Sequence, residues 1–314
     1  MADRPWERLP DLQLPIALPD GGPMLDDVVD MPPDSALTLA RVEPTGEFVA
    51  WRWRGTGQLG FYPASSIKWM TAGLLAVFLD ELGIPDTATL QTGDDAPLVI
   101  RDAVLSMLIH SSNETFNTLQ EAVGFEETMA VVRAVGCERL VIRRSFGRDR
   151  RSHSRAVTLT VPEREPVVVS ARLDTDLPLS SDDRPPPMGN PEANFATTDD
   201  FVRMAAWTLM GPPRRTPAFD LMPIGLAGPH PRDTAAGFND LAIAAPDSGA
   251  FTVLSKPGWW PPEGVNVDVA YAYDHGRDRH YFASIYVEDT VEERARKTMR
   301  QAAHDAMAAV RDAP

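Results

Sequence analysis

Cysteine is almost missing from this chain. Cys137 is the only one, so no internal disulfide can form and the redox compartment stays open. Following Gly136, it reads as a small buried residue past a helix end. Positive charge is scarce as well: 30 Lys and Arg stand against 45 Asp and Glu, a formal charge of −15 with a pI near 4.8. That balance argues against a nucleic-acid surface or an anionic membrane as partner, since both reward clustered cations, and favours a small-molecule or peptide substrate. No apolar run approaches the roughly 18 residues that span a bilayer, so no transmembrane helix is expected. Residues 1–8 carry no signal-peptide h-region, which leaves a cytoplasmic protein or an extracytoplasmic one whose leader was removed. The six histidines are scattered without metal-ligand spacing, and neither a His-E-x-x-His pattern nor a Gly-rich phosphate loop is found. Neither a metal nor a cofactor is expected. The oligomeric state is not readable.

What is present is an ordinary globular composition, 43% hydrophobic and 24% charged over 314 residues, enough for one large domain or two lobes. The chain is organised around residues 61–70, where a turn opens into an apolar helix and Ser65 and Lys68 stand three apart. On a helix, i and i+3 share a face. A serine hydroxyl needs a base to become a nucleophile, and a lysine in a desolvated pocket can lose its proton and serve as one. S-x-x-K alone is short and common, and describes equally well a helix start with an ordinary surface lysine.

In order, residues 1–35 read as an extended, Pro- and Asp-rich surface arm. Runs at 36–42 and 48–53 around Pro44 and Gly46 predict a hairpin. A helix from Ser65 carries Ile67, Met70, Leu74, Leu75, Phe78 and Leu82 on a 3.6-residue period and ends at Gly83. Helical pattern continues from Ile100 to Gly136, broken at His110-Ser111-Ser112-Asn113-Glu114; His110 there reads as a capping or solvent residue. Residues 143–195 are locally basic and irregular, with a small hairpin at 157–169, and read as a lid-like insertion over the site. A capped helix from Thr197, three strands near 250–256, 266–273 and 280–287, and a terminal helix with Glu293 in capping-box position complete the chain. Strands, helices, strands, helix imply an α+β fold: a sheet lobe from 36–62 and 245–314, with a helical lobe, 63–244, inserted between its halves.

Three elements line up: Ser65-Ser66-Ile67-Lys68, then Ser111-Ser112-Asn113 at a helix break, then Lys256-Pro257-Gly258 on a strand. An S-x-x-K, an S-x-N and a K-[TS]-G in this order are the signature of penicillin-binding proteins and class A β-lactamases, and the chain resembles that superfamily from Ala36 to Val310. The resemblance implies a five-stranded antiparallel sheet flanked by terminal helices, plus an all-helical lobe. It implies Ser65 as acylated nucleophile, Lys68 as its base, Ser111 as proton relay, Asn113 as a substrate-amide ligand and Lys256 as the cation beside Ser111. The backbone N–H groups of Ser65 and Trp259, the latter following Gly258, would form the oxyanion hole.

The departures are informative. Pro257 stands where the pattern has Thr or Ser, removing a hydroxyl that helps hold a substrate carboxylate. Trp259 and Trp260 place large aromatics at the rim or under the lid, so preference moves toward a bulkier or less anionic substrate. The deacylating glutamate of class A enzymes, in R-x-E-x-x-x-N, has no match: Arg164-Glu165-Pro166 resembles its middle, but Val169 replaces the Asn. Glu165 and Glu192 are the candidate bases, with Glu163, Asp182 and Asp183 nearby in sequence. The expected function is a serine hydrolase acting through an acyl-Ser65 on an amide, β-lactam or ester. The alternatives are a penicillin-binding-type peptidase or acyl trap with slow deacylation, and a ligand-binding protein that kept the fold and lost the chemistry.

Overall fold

The computed structural model describes residues 4–146, 153–173, 193–227, 237–241 and 251–313. The chain's two ends build one sheet. Strands β1 (Ala36–Val42) and β2 (Phe48–Arg52) form the expected hairpin. Helices α1 (Lys68–Glu81), α2 (Ile100–Ile109), α3 (Asn113–Val123) and α4 (Phe125–Val135) follow, with the short strands β3 (Thr89–Thr92) and β4 (Leu98–Val99) between α1 and α2. The insertion contributes β5 (His153–Ser154), β6 (Val157–Thr160), β7 (Val167–Val169) and β8 (Arg172–Leu173). Then come α5 (Thr198–Met210), α6 (Leu221–Ala227), β9 (Phe251–Trp260), β10 (Val265–Asp274), β11 (Arg279–Glu288) and α7 (Glu292–Arg311).

The main sheet has five antiparallel strands in the order β2-β1-β11-β10-β9. Both its faces are covered. On β10, Val265, Val267, Val269, Tyr271 and Tyr273 join the core shared with the helical lobe, while Ala270 and Ala272 join a second core with Ala295, Met299, Ala302 and Ala306 of α7. This is the two-residue period of a strand buried on both sides. The β9 strand is an edge among the described residues, which is where Pro257, lacking an N–H, is tolerated.

The helix that carries Lys68 is more deeply placed than its sequence stripe indicates. Every residue from Lys68 to Ala76 is buried, so α1 is the central helix of its lobe rather than an amphipathic cover. Gly83, in the left-handed region at φ 62°, ends it. At the C-terminal helix the expected capping box is not made: the Asp289 carboxylate accepts from the Val291 N–H, and Val291 is the cap.

One expectation needs correction. The N-terminal arm is extended but not superficial. Trp6, Leu9, Ile16 and Leu18 enter the core of the helical lobe, and Leu25, Val29 and Met31 enter the second core. Their irregular spacing gives no periodic signal, yet their burial removes apolar surface from water as a helix face does. Of the insertion expected to act as a lid, residues 147–152 and 174–192 lie outside the described residues, and its described hairpin packs on the helical lobe. β6 pairs with β3, giving a four-stranded sheet β4-β3-β6-β7 on the helical lobe. Arg164 donates to the Gly83 carbonyl beyond the far end of α1, and Arg172 donates to the Val123 carbonyl and pairs with Glu127. The two roots of the insertion, Val141 and Phe195, bridge each other, and Ala196 bridges Phe61 just before the S-x-x-K turn.

Candidate active site

Four separate elements deliver the site. The chain leaves β2, passes Phe61, and enters a 3-10 turn at Ala64–Ile67 that runs directly into α1. Ala64 is held at φ 45°, a left-handed conformation that costs an alanine on the order of 1–3 kcal/mol and presents Ser65 at a sharp corner. Ser65 is half-buried, and Lys68, one turn on, is fully buried. The Lys68 Nζ lies 2.9 Å from Ser65 Oγ.

The break between α2 and α3 supplies the next two groups. Ser112 caps α3, its hydroxyl accepting from the Thr115 N–H. Ser111 before it sits at φ 56° and aims its carbonyl at the lysine. Lys68 Nζ donates to that carbonyl at 2.5 Å and to Asn113 Oδ1 at 2.7 Å, and Ser111 Oγ lies 3.3 Å away. From β9, Lys256 Nζ donates to the same Ser111 Oγ at 3.1 Å and to the Pro257 carbonyl at 3.2 Å. The Ser111 hydroxyl thus bridges the two lysines.

The glycine of the third motif has a steric task. A methyl group at position 258 would lie 2.5 Å from Ser66 Oγ and 2.8 Å from both Ser66 N and the Pro63 carbonyl. Only a bare Cα lets the β9 backbone lie against the turn that holds Ser65.

Burial governs the electrostatics. Desolvation, helped by the nearby charge of Lys256, pulls the Lys68 ammonium down to about 6, and desolvation pulls Lys256 down to about 7 against the opposing pull of Asp268. The hydrogen bonds of Lys68 accommodate either protonation state. A neutral amine has two N–H groups and one lone pair. An ammonium would donate to the Ser111 carbonyl, Asn113 Oδ1 and Ser65 Oγ; a neutral amine would donate to the first two and accept from the Ser65 hydroxyl. Among the described residues no carboxylate is hydrogen-bonded to Lys68 or Ser65.

Phe146, which no sequence pattern marked, is a further member of the site. Its ring centroid lies 5.5 Å from Lys68 Nζ. It is held by a two-way backbone clasp, Asn117 Nδ2 donating to its carbonyl and its N–H donating to Asn117 Oδ1, each at 2.8 Å. Packing against Phe116 at 4.7 Å and Tyr62 at 6.2 Å completes its seat. The only sequence hint was its place within the insertion, on the side that leads in from α4.

Of the sequence-derived residues, the structure brings together Ser65, Lys68, Ser111, Asn113 and Lys256, with Gly258 and Trp259 on the adjoining strand. Trp260 stands at its end, partly exposed and edge-on to Tyr62 at 6.4 Å. Glu165 is not part of this group. It is exposed and neighbours Arg164, which binds the carbonyl of Gly83; Gly83 lies about 25 Å along α1 from Ser65, at ~1.5 Å per residue. As a base on a water at Ser65 it is out of reach. Glu192, Asp182 and Asp183 lie outside the described residues. Among the described residues no cluster of three or more His, Cys, Asp or Glu side chains could hold a metal, and no helix is long and apolar enough to cross a membrane.

No protein-family model matches the chain, and no curated protein matches it in sequence. Solved structures do match. The β-lactamase from Sphaerobacter thermophilus aligns at 15% identity and a TM-score of 0.56, over 88% of this chain and 92% of its own. A β-lactamase from Xanthomonas campestris pv. campestris aligns at 13% and 0.61, over 88% and 91%. A mutant of the class A β-lactamase of the last common ancestor of Gram-negative bacteria aligns at 15% and 0.59, over 88% and 94%. Identities this low speak to architecture, and they establish that this chain has the fold of the class A β-lactamases.

Proposed function

We propose that the protein is a serine hydrolase that works through an acyl-enzyme on Ser65. The carrying observation is that Lys68 Nζ lies 2.9 Å from Ser65 Oγ in one buried group with the Ser111 carbonyl, Ser111 Oγ and Asn113 Oδ1. In this reading Lys68 removes the Ser65 proton as Oγ attacks an amide, β-lactam or ester carbonyl. The Ser65 and Trp259 N–H groups receive the oxyanion, such a donor being worth roughly 3–4 kcal/mol. Ser111 then passes the proton to the leaving nitrogen or oxygen, and the C–N or C–O bond breaks. Lys256 steadies the Ser111 hydroxyl. Asn113 orients Lys68 as well as facing the substrate.

Incubation with a β-lactam or a fluorophosphonate, followed by intact mass, tests this. A single adduct on wild type and none on Ser65→Ala supports the reading. No adduct from either probe leaves the non-catalytic binding protein as the better account.

A second reading has its own support. Phe146 lies 5.5 Å from Lys68 Nζ, and among the described residues no carboxylate is hydrogen-bonded to Ser65 or Lys68 to help activate water, so acylation would outpace deacylation as in penicillin-binding proteins. A chromogenic β-lactam distinguishes the two: steady colour means turnover, and one equivalent followed by silence means an acyl trap.

A further inference from the structure

The nature of the acyl donor can be read from what surrounds the acylation site, and it rests on the acyl-Ser65 reading above. Trp260 is 38% exposed, the one aromatic among the exposed large apolar side chains of the described residues. It is not isolated. Trp260 stands edge-on to Tyr62, Tyr62 edge-on to Phe146, and Phe146 covers Lys68, so one aromatic wall runs from solvent to the catalytic amine. Aromatic area left in water beside a reactive centre is a surface waiting for an apolar partner.

The strand side of the same mouth offers no exposed cation to an anionic substrate. The strand ends that frame it, positions 257–268, contain no Lys or Arg; Glu263 is exposed, while Asp268 is buried and accepts from the Phe238 N–H. The one cation on β9 there, Lys256, is buried, with its Nζ engaged by Ser111 Oγ and by the Pro257 carbonyl. Pro257 offers neither a hydroxyl nor an N–H to a carboxylate. A carboxylate brought next to the scissile bond would lose its water and gain no charge-assisted hydrogen bond from these strands.

We propose that the acyl donor is an uncharged ester or amide bearing an aromatic group that lies on the Trp260–Tyr62–Phe146 wall, with no carboxylate beside the scissile bond. For an ester the step balances simply. Ser65 Oγ bonds to the carbonyl carbon as its proton moves to Lys68; the C–O bond to the leaving alkoxide breaks; and Ser111 relays the proton from Lys68 to that oxygen.

Benzylpenicillin and its methyl ester isolate the charge, because they share ring and phenylacetyl group and differ only in the carboxylate. Rates of Ser65 adduct formation are followed by intact mass, with ethyl fluorophosphonate as a small neutral reference. The methyl ester is expected to acylate about tenfold faster than the free acid. Trp260→Ala is expected to lower the methyl ester's rate about tenfold relative to the fluorophosphonate's, with Trp260→Phe recovering most of it. A faster free acid, or a ratio unmoved by Trp260→Ala, overturns the inference. So does fluorophosphonate labelling of Ser65 with no adduct from either penicillin. If nothing labels Ser65, the acyl-enzyme reading falls together with the inference.

Discussion

Two of the buried polar clusters among the described residues are built on opposite principles. Around Asp199 every charge is answered. Arg52 Nε lies 3.0 Å from each carboxylate oxygen, Gln58 Nε2 donates to one oxygen at 2.9 Å, and Thr38 donates to the other at 2.7 Å. This knot ties β1 and β2 to the start of α5. Around Ser65 two lysines are buried with only neutral acceptors at their nitrogens. The first arrangement stabilises a charge and thereby the fold. The second withholds compensation, which lowers the pKa of Lys68, as its proposed role as a base requires. Their shared depth shows that burial alone distinguishes nothing; the partners do.

The largest effect tests that difference at Lys68. Lys68→Met should lower the rate of Ser65 acylation about 10²–10⁴-fold, read by intact mass against a fluorophosphonate. It should also stabilise the protein, in a pH-dependent way. The folded-state value of about 6 lies below the ordinary 10.5, so between those values the unfolded chain holds a proton that the folded one lacks. Stability of the wild type therefore rises with pH across that window. The advantage of the variant, on the order of several kcal/mol near pH 6, should shrink as the pH approaches 10. Thermal melts at three pH values check this. Asp199→Ala is the mirror case: removing the answered charge strands Arg52 and should cost about 3–5 kcal/mol, a fall in Tm on the order of 10 °C. A larger Tm loss for Lys68→Met than for Asp199→Ala at pH 6 would break the comparison.

A smaller effect concerns how the lysines influence one another. With Lys68 needed neutral and Lys256 charged, acylation should rise through pH 6 and decline above pH 7. Lys256→Met should abolish the declining limb. Because the charge of Lys256 is the second cause holding Lys68 down, the rising limb should also move above pH 6. A rising limb that stays in place would mean desolvation acts alone.

The sequence carried the answered and unanswered clusters unequally. Ser65 and Lys68 were legible from their spacing on one helix and Ser111 and Asn113 as a polar break between helices, whereas their grouping with Lys256 followed from the resemblance of the three ordered motifs to the penicillin-binding and β-lactamase superfamily. The order of strands and helices, read from periodicity, gave the architecture. Phe146 was not legible. Its place beside Lys68 is set by the Asn117 clasp, 29 residues away in sequence, and a lone Phe in an irregular segment has no pattern. Nor was the second sheet, whose strands β3 and β4 are only four and two residues long and find their partners across the insertion. The arm was misjudged because burial there follows from single apolar residues rather than from a period.

The smallest expected effect is the one that most sharpens the contrast. Glu165 was attractive in the sequence because it follows an arginine in the segment where a class A enzyme keeps its hydrolytic base. Its carboxylate is solvated, at the end of the lobe where Arg164 binds the Gly83 carbonyl, with the length of α1 between it and Ser65. A solvated carboxylate that far off neither titrates the water at an acyl-serine nor contributes much to stability. Glu165→Gln should therefore leave both the acylation burst and the later release of acyl group within about twofold of wild type, with Tm changed by no more than surface substitutions ordinarily do, about 0.5 kcal/mol. If release slowed a hundredfold instead, the insertion would have to reach the nucleophile, and the lysine pair would no longer stand without a carboxylate.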